Sequence, residues 1–366
     1  MFKLKNGPFQ NIEKRVCEMF EKEFGIFTAN GTTAIWLALI ASGVKKKKII
    51  VPANICFVVI CAIILSDNEP YFVDIDDNFS IDPKQLKDID SKEAAGIIFP
   101  HMYGNVGSIE EALEIAKSKG WIVIEDVAQA LGAKKGKKYA GSFADLAITS
   151  SGMGKIIDVE AGGVLALNSE KNYKNACDIY KKLSVLSKSK YSAYLRFNKI
   201  YSLLVDAIEN GDCLYEFGRP LTLAYKDANI GRLGTDLTFL KQLEREIINL
   251  EDELSIRLNN AKYFQSILEH RNIYVLRHNK GSTYWRQNIL VKEKRDELLK
   301  YLKENGVKAS KYFPSIDRLF YPRLNKNFIK SDTMATQLIN LWPSRQTKRD
   351  DIVKINELIN NFYKNN

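Results

Sequence analysis

A lysine follows a glycine-rich turn near the middle of the chain, in a pattern that could carry nucleophilic chemistry. The apolar run Leu146–Thr149 ends in the hydroxyl residues Ser150 and Ser151, and Gly-Met-Gly then leads to Lys155. A lysine amine becomes a nucleophile toward an aldehyde carbon when a desolvated site suppresses its charge. Either serine hydroxyl could bind a phosphate in the same turn. The competing interpretation is an ordinary surface lysine in a loop.

A second segment places a carboxylate where a buried strand should end. The run Trp121–Ile124 is apolar, and it is followed by Glu125, Asp126 and, three residues later, Gln129. Burying a carboxylate there is costly unless a cation meets it. A protonated pyridine nitrogen is such a cation, and holding that proton makes the ring an electron sink. The alternative is an aspartate that caps the following turn.

Two further motifs would let the backbone come close to a bound group or to a neighbouring segment. Asn30–Thr33 stands where a strand-like turn becomes a helix, so its N–H groups and hydroxyls could hold a phosphate. Taken alone, this motif favours a simple capped helix start. Ala161–Val164 contains two adjacent glycines, which let the backbone turn tightly before the next strand. The order and spacing of all four motifs indicate a cofactor site more strongly than any one of them.

The residues between Thr32 and Asn168 predict the elements that must position these motifs. Helical segments alternate with short runs rich in Val and Ile, a pattern typical of a mostly parallel sheet covered on both faces. In such a sheet, ligands bind beyond the carboxyl ends of the strands. The predicted strands are Ile49–Val51, Tyr71–Val73, Gly96–Phe99, Ile122–Glu125, Leu146–Ser150 and Val164–Leu167. The predicted helices between them are Thr32–Ser42, Cys56–Leu65 and Ile109–Lys119.

The second half of the chain predicts a smaller α+β domain. Residues 171–210 form a helical segment rich in basic and aromatic residues that links the two parts. We expect a large domain over residues 1–235 and a small domain over residues 236–366. The predicted elements of the small domain are a long helix Asp236–Glu269, a strand Trp285–Val291 and helices Arg295–Asn305 and Asp350–Tyr363.

Composition excludes several classes of protein. The chain has 366 residues, of which 45% are hydrophobic, so it can bury a large core. Ile49–Leu65 is its most apolar stretch, but Pro52 and Asn54 favour a buried strand and helix over a membrane span. The N-terminus lacks an apolar signal core, which predicts a cytoplasmic location. The five cysteines and three histidines have no metal-ligand spacing. A net charge of +10 is scattered, which suits anionic substrates rather than nucleic acid.

The motifs together resemble the DegT/DnrJ/EryC1/StrS aminotransferases. The similarity runs through most of the chain and is densest between Gly31 and Asn168. It implies the fold of pyridoxal-phosphate-dependent transferases of type I, an α/β large domain with a mostly parallel central sheet plus a smaller C-terminal α+β domain. It also implies a homodimer with active sites at the subunit boundary. The segments that carry it are Asn30–Leu39, Ile49–Ile63, Glu69–Asp76, Phe99–Ala133, Ser142–Asn168, Arg295–Ser315 and Leu338–Gln346.

The resemblance also implies roles for individual residues around pyridoxal 5'-phosphate. Lys155 corresponds to the Schiff-base lysine and proton carrier, and Asp126 to the partner of the pyridine nitrogen. Gln129 would contact the ring hydroxyl, and His101 would lie near the ring. The phosphate would be bound by Gly31, Thr32, Thr33 and Ser150. Cys56 stands at the position whose side chain stacks on the ring. Asn229 corresponds to the asparagine that reaches the partner subunit's phosphate. Its segment, which ends at Arg232, is one residue longer than the family pattern.

The implied activity is transfer of an amino group, usually from L-glutamate, to a keto group of a UDP-, dTDP- or GDP-linked deoxy-sugar, as in glycan or amino-sugar biosynthesis. One alternative is a sugar dehydratase of the same fold, in which a histidine replaces the lysine. Another is a non-catalytic binding module that keeps the fold. Tyr312 and Arg286 are candidates to face the substrate. The segment 171–210 is expected to pack in the dimer, and the competing hypothesis is contact with a membrane surface.

Overall fold

Seven strands form the central sheet of the large domain. The computed structural model describes residues 8–186, 188–209, 212, 214–233, 238–311, 314–322 and 328–364. The sheet order is β1-β9-β8-β5-β4-β2-β3. Strands from β3 to β8 along this order pair in parallel, and β9 is antiparallel to both neighbours. The strands are β1 (Phe24–Thr28), β2 (Lys48–Pro52), β3 (Glu69–Val73), β4 (Ala94–Pro100), β5 (Ile122–Asp126), β6 (Lys134–Lys135), β7 (Lys138–Tyr139), β8 (Leu146–Ser150) and β9 (Gly163–Leu167), of which β6 and β7 form a separate hairpin.

Both faces of this sheet are buried, because successive side chains of each strand alternate between two apolar clusters. Ile50, for example, belongs to one cluster, and its neighbours Ile49 and Val51 belong to the other. The six predicted strands are all present, and the mostly parallel sheet of a type I transferase fold is confirmed. The covering helices are α1 (Gln10–Phe20), α2 (Gly31–Ala41), α3 (Phe57–Leu65), α4 (Pro83–Lys87), α5 (Ile109–Lys119) and α6 (Glu170–Lys182).

The strand β1 was not predicted from the sequence. It is short, contains Gly25, and gains its ladder of hydrogen bonds only from β9, far along the chain. The apolar stretch Ile49–Leu65 does form a buried strand and a buried helix, β2 and α3. Among the helices that the structure describes, none has the length and apolar character needed to cross a membrane.

The C-terminal part of the chain forms a second, antiparallel sheet covered by helices. Its strand order is β10-β11-β13-β12. Phe264, Leu298, Ile352 and Phe362 are among the buried residues that pack the helices against this sheet. The strands are β10 (Ile273–Val275), β11 (Gln287–Val291), β12 (Ala309–Lys311) and β13 (Leu338–Leu341); the helices are α9 (Leu240–Ile248), α10 (Leu250–Ile267), α11 (Arg295–Glu304), α12 (Ile329–Gln337) and α13 (Arg349–Lys364), with short 3-10 helices at Met102–Gly104 and Ile316–Leu319.

Two predicted elements of this part differ from the structure. The predicted long helix Asp236–Glu269 is two helices, because the chain breaks at Asn249, a residue type that favours helix ends. The strand predicted to start at Trp285 starts at Gln287. The start of the long helix at Asp236 and the proposed domain boundary between residues 235 and 236 lie outside the described residues.

The helical segment predicted over residues 171–210 contains α6 and α7 (Lys188–Glu209), and α8 (Tyr215–Asn229) follows it. Two of its aromatic side chains, Phe197 and Tyr201, pack within the chain. The ring of Phe57, at the start of α3, lies 4.9 Å from the ring of Tyr201 and 5.7 Å from that of Phe197. Phe197 lies 4.5 Å from Tyr225 of α8. These contacts hold α7 and α8 against the helix that follows Cys56.

Phe57 is fully buried at this junction, so we expect Phe57→Ala to lower the free energy of unfolding by about 3–5 kcal/mol. Equilibrium unfolding in urea measures the change. The matched control is Ile248→Ala on α9, a residue that is 75% exposed and whose replacement should change stability by less than about 0.5 kcal/mol. A cost for Phe57→Ala as small as that of the control would contradict the packing of α7 and α8 on α3.

Candidate active site

The parallel pairing of three central strands brings their carboxyl ends to one edge of the sheet. Pro100 at the end of β4 pairs with Asp126 at the end of β5, and Asp126 pairs with Ile148 near the end of β8. The residues that follow or end these strands, His101, Asp126 and Ser150, therefore lie at the same edge. This is where ligands bind in open α/β sheets.

Asp126 and Lys155 form the charged centre of this edge. Asp126 is almost completely buried, and its Oδ1 accepts one hydrogen bond, from the N–H of Ala128 at 2.9 Å. Burial raises the pKa of the Asp126 carboxyl, and the positive charge of Lys155 is the largest influence in the opposite direction. Lys155 is half-buried in the loop between β8 and β9, with its Nζ 5.6 Å from the ring centroid of Trp285. The structure thus places the predicted lysine and aspartate within electrostatic reach of each other.

The neighbouring carboxylate, Glu125, has different hydrogen-bond partners from Asp126. It is fully buried and accepts hydrogen bonds from the N–H groups of Gly141 at 2.7 Å and Ala144 at 2.6 Å. Its Oε2 also lies 3.0 Å from Nε2 of His101. His101 was predicted near the cofactor ring, and the structure shows that Glu125 fixes its orientation. The sequence motif drew attention to Asp126 and gave no sign of this second carboxylate's partners.

The side-chain amide of Gln129 has a defined orientation. Its Oε1 accepts the backbone N–H of Tyr103 at 2.9 Å, in the turn that follows His101. The amide nitrogen is therefore the group that remains to donate to a ligand oxygen. A ring hydroxyl or phenolate oxygen is an acceptor of the kind that this nitrogen requires.

The predicted phosphate-binding turn begins α2. The side chain of Asn30 caps the helix by accepting the N–H of Thr33 at 2.8 Å. The hydroxyl of Thr33 donates to the carbonyl of Asn229, and the hydroxyl of Thr32 lies 3.2 Å from that of Tyr225. Both threonine hydroxyls thus contact α8, so the first backbone N–H groups of the helix are better placed for a phosphate than these side chains.

The sequence profile of the DegT/DnrJ/EryC1/StrS aminotransferase family matches residues 3–203 and 237–360, most of the chain. The chain belongs to this family. The membership confirms the prediction of an aminotransferase that uses pyridoxal phosphate. No metal-binding group of three or more His, Cys, Asp or Glu side chains occurs in the part of the chain that the structure describes.

Several members of the DegT/DnrJ/EryC1/StrS family are similar over nearly the whole chain. GDP-perosamine synthase of Escherichia coli O157:H7 is 24% identical over 98% of this chain and 91% of its own length. The dTDP-4-amino-4,6-dideoxy-D-glucose transaminase of Shigella dysenteriae is 28% identical over 87% of this chain and 80% of its own. The crystal structure of DesI with its TDP-sugar product superposes with a TM-score of 0.77 at 18% identity, covering 97% of this chain and 84% of DesI.

The site of this family member fits pyridoxal phosphate at two points. The buried Asp126 carboxylate has one backbone donor, and a protonated pyridine nitrogen would supply a further cationic partner. At Gly31, a Cβ atom would lie 3.0 Å from Cβ of Ser150 and 3.3 Å from its hydroxyl oxygen. The missing side chain lets the N-terminus of α2 lie close beside the Ser150 hydroxyl, so that both could donate to one phosphate.

The remaining predicted site residues differ in whether they contact the groups around Lys155 and Asp126. Cys56 precedes α3, and the charges of Lys155 and Asp126 both act on its thiol, whose pKa is raised by burial. Asn229 lies beside the phosphate-binding turn of its own chain, where its carbonyl accepts from Asn30 and Thr33. Arg232 points elsewhere, because its Nε donates to the carbonyl of Leu183. Tyr312 lies outside the described residues.

Arg286, expected to face the substrate, is instead buried with its guanidinium against backbone carbonyls. Its Nη2 donates to the carbonyl of Gly154 at 3.1 Å and its Nη1 to that of Trp285 at 2.7 Å. Trp285 itself donates from its indole N–H to the same carbonyl of Gly154 at 2.7 Å. No local sequence pattern indicates this contact, because it joins residues 131 positions apart.

The raised pKa of Asp126 makes a prediction about stability. Because burial raises this pKa above its ordinary value of 3.8, ionisation of the carboxyl favours the unfolded chain. In the cofactor-free protein, stability should therefore fall as pH rises from about 3.8 to the raised pKa, and this contribution should be constant above it. Asn at this position does not titrate. Cofactor-free Asp126→Asn should accordingly have a higher Tm than wild type at neutral pH, with a difference that shrinks as pH falls through the carboxyl range.

Thermal unfolding of both cofactor-free proteins across this pH range measures the difference. Asp88→Asn is the control, since Asp88 is exposed at the end of α4 and its replacement should leave Tm at neutral pH unchanged. A lower Tm for Asp126→Asn than for wild type at neutral pH would mean that the carboxylate is already compensated without a cofactor.

Proposed function

We propose that this chain transfers an amino group from an amino acid, with L-glutamate as the donor, to a keto group of a nucleotide-linked deoxy-sugar. The observation that carries the proposal is the half-buried Lys155 within electrostatic reach of the buried Asp126. The named relatives include a GDP-sugar enzyme and a dTDP-sugar enzyme, which supports a nucleotide-linked acceptor. We further propose that the enzyme acts in the cytoplasm.

Each residue has a task in this proposal. Pyridoxal phosphate, when bound, supplies an aldehyde carbon and a pyridinium ring that withdraws electrons. Asp126 would keep the ring nitrogen protonated, and the amide nitrogen of Gln129 would donate to the ring hydroxyl. The first N–H groups of α2 and the Ser150 hydroxyl would bind the phosphate. Cys56 would lie against the ring.

Lys155 would hold the cofactor at its aldehyde carbon and, once displaced by the donor's amine, move a proton as a general base and acid. Such a role typically contributes about a hundredfold to ten-thousandfold in rate. A histidine here would mark the dehydratase alternative, and the lysine favours aminotransfer. The scattered positive charge of the chain, +10 in total, suits a site that exchanges two anionic substrates.

We also propose that the active enzyme is a homodimer. Several large apolar side chains face outward on the two helices that cover α3, which supports an interface there. Sedimentation velocity should show a species of twice the chain mass of 41.7 kDa. The exposed side chains are Leu195, Ile200, Leu203, Phe217 and Leu223.

The first test compares wild type with Lys155→Ala in the presence of pyridoxal phosphate. Wild type should develop a visible absorption band that glutamate bleaches, and borohydride should attach the cofactor to the peptide that contains Lys155. Lys155→Ala should show neither change, and turnover should fall by roughly a hundredfold or more. The control, Lys137→Ala, removes an exposed lysine and should behave as wild type.

The acceptor half of the reaction separates the alternatives. After glutamate treatment, a keto-sugar nucleotide should yield a product that carries nitrogen, as mass spectrometry can establish. A product that has instead lost a hydroxyl group would identify a dehydratase. Wild type that forms no visible band at saturating cofactor would make the non-catalytic binding module the better description.

A further inference from the structure

The peptide immediately before Lys155 is held from both sides. The N–H of Gly154 donates to Oδ2 of Asp158 at 2.7 Å, within the same loop. Its carbonyl accepts two hydrogen bonds from the C-terminal part of the chain, one from the indole of Trp285 and one from the guanidinium of Arg286. Both polar groups of Gly154 are thus engaged, and its φ of +75° is a conformation that glycine adopts without strain.

Arg286 is itself held in an unusual environment. Its Cζ lies 3.8 Å from the ring centroid of Trp285 and 3.9 Å from that of Trp342, so indole rings contact the guanidinium on two sides. Burial and the nearby positive charge of Arg257 lower the pKa of Arg286. Within the described residues, no carboxylate forms an ion pair with Arg286. Backbone carbonyls, indole rings and the nearby negative charge of Asp158 offset the cost of burying this charge.

These contacts leave Arg286 little capacity to bind a substrate. Only 4% of the residue is exposed, indole rings cover its guanidinium, and two of its nitrogens already donate to carbonyls. One of these two hydrogen bonds is directed at the loop that carries Lys155. Trp285 also faces this loop, since its ring centroid lies 5.6 Å from Nζ of Lys155.

We propose that Trp285 and Arg286 are positioning residues that fix the Lys155 loop from the C-terminal domain. They act on Lys155 through the carbonyl of Gly154, and the effect on turnover rests on the proposed role of Lys155. A glycine-rich turn that lacked these two donors would sample more orientations. Small errors in the position of a reacting group reduce rates by as much as a hundredfold, so the contact is expected to affect kcat more than KM.

The test compares two tryptophans that contact the same guanidinium. Trp285→Phe keeps an aromatic ring and removes the N–H that donates to Gly154. Trp342→Phe is the matched control, because it replaces the other indole that contacts Arg286. In the described part of the chain, no hydrogen bond joins Trp342 to Gly154. In a second pair of variants, Arg286→Gln removes the positive charge and Arg286→Lys keeps it.

The first readout is hydrogen–deuterium exchange of peptides that cover residues 152–158 in the full-length holoenzyme. Exchange should be roughly tenfold faster in Trp285→Phe and Arg286→Gln than in wild type, and close to wild type in Trp342→Phe. Arg286→Lys should restore part of the protection. The second readout is steady-state kinetics, in which Trp285→Phe should lower kcat roughly tenfold while KM for the amino donor changes less than about threefold.

The outcomes are decisive in both directions. Wild-type exchange in Trp285→Phe and Arg286→Gln would overturn the proposal, and so would equal losses in Trp342→Phe and Trp285→Phe, which would indicate general packing alone. If either Trp285→Phe or Arg286→Gln has a markedly lower Tm, the other of these two variants decides the test. Faster exchange in variants of a wild type that shows no transamination would overturn the proposed function and leave the positioning of the loop intact.

Discussion

Two consecutive carboxylates at the end of β5 set the chemistry of the whole site. Because successive side chains of a strand point to opposite faces, Glu125 and Asp126 meet different surroundings. Glu125 receives two backbone N–H groups and the ring of His101, which satisfy its charge inside the protein. Asp126 receives a single backbone N–H. Glu125 therefore has three hydrogen-bond partners within the protein, whereas Asp126 has one. In the proposed function, a protonated pyridine nitrogen would be a further cationic partner for Asp126.

The remaining features of the site follow from where that carboxylate lies. The parallel pairing of β4, β5 and β8 brings His101 and Ser150 to the same edge of the sheet. The loop from β8 to β9 then carries Lys155 back toward Asp126. Trp285 and Arg286, which directly precede β11 of the second sheet, donate hydrogen bonds to this loop from the other side. The two parts of the chain thus share one site, although each has its own apolar core.

Much of this could be predicted from sequence because it depends on local patterns. Short apolar runs predicted six of the seven strands of the central sheet, and motif spacing drew attention to the segments that contain Lys155, Asp126, Gln129 and Ser150. Interactions between residues far apart in sequence could not be found in this way. They include the bond between Glu125 and His101, the engagement of the threonine hydroxyls by α8, and the contact of Trp285 with Gly154. Pattern also failed where one residue decided the outcome, as at Asn249, which divides a helix.

The pairing of β1 has a consequence for synthesis of the chain. Its neighbour in the sheet is β9, and beside this pair the N–H of Glu23 donates to Asn168, 145 residues away. The turn at Asn30 and Gly31, which directly follows β1, is itself in contact with Gly163 at the start of β9. A ribosome must therefore deliver the chain through β9 before Asn30 and Gly31 can take their final positions. Shorter nascent chains expose the apolar strand β1 to solvent or to a chaperone.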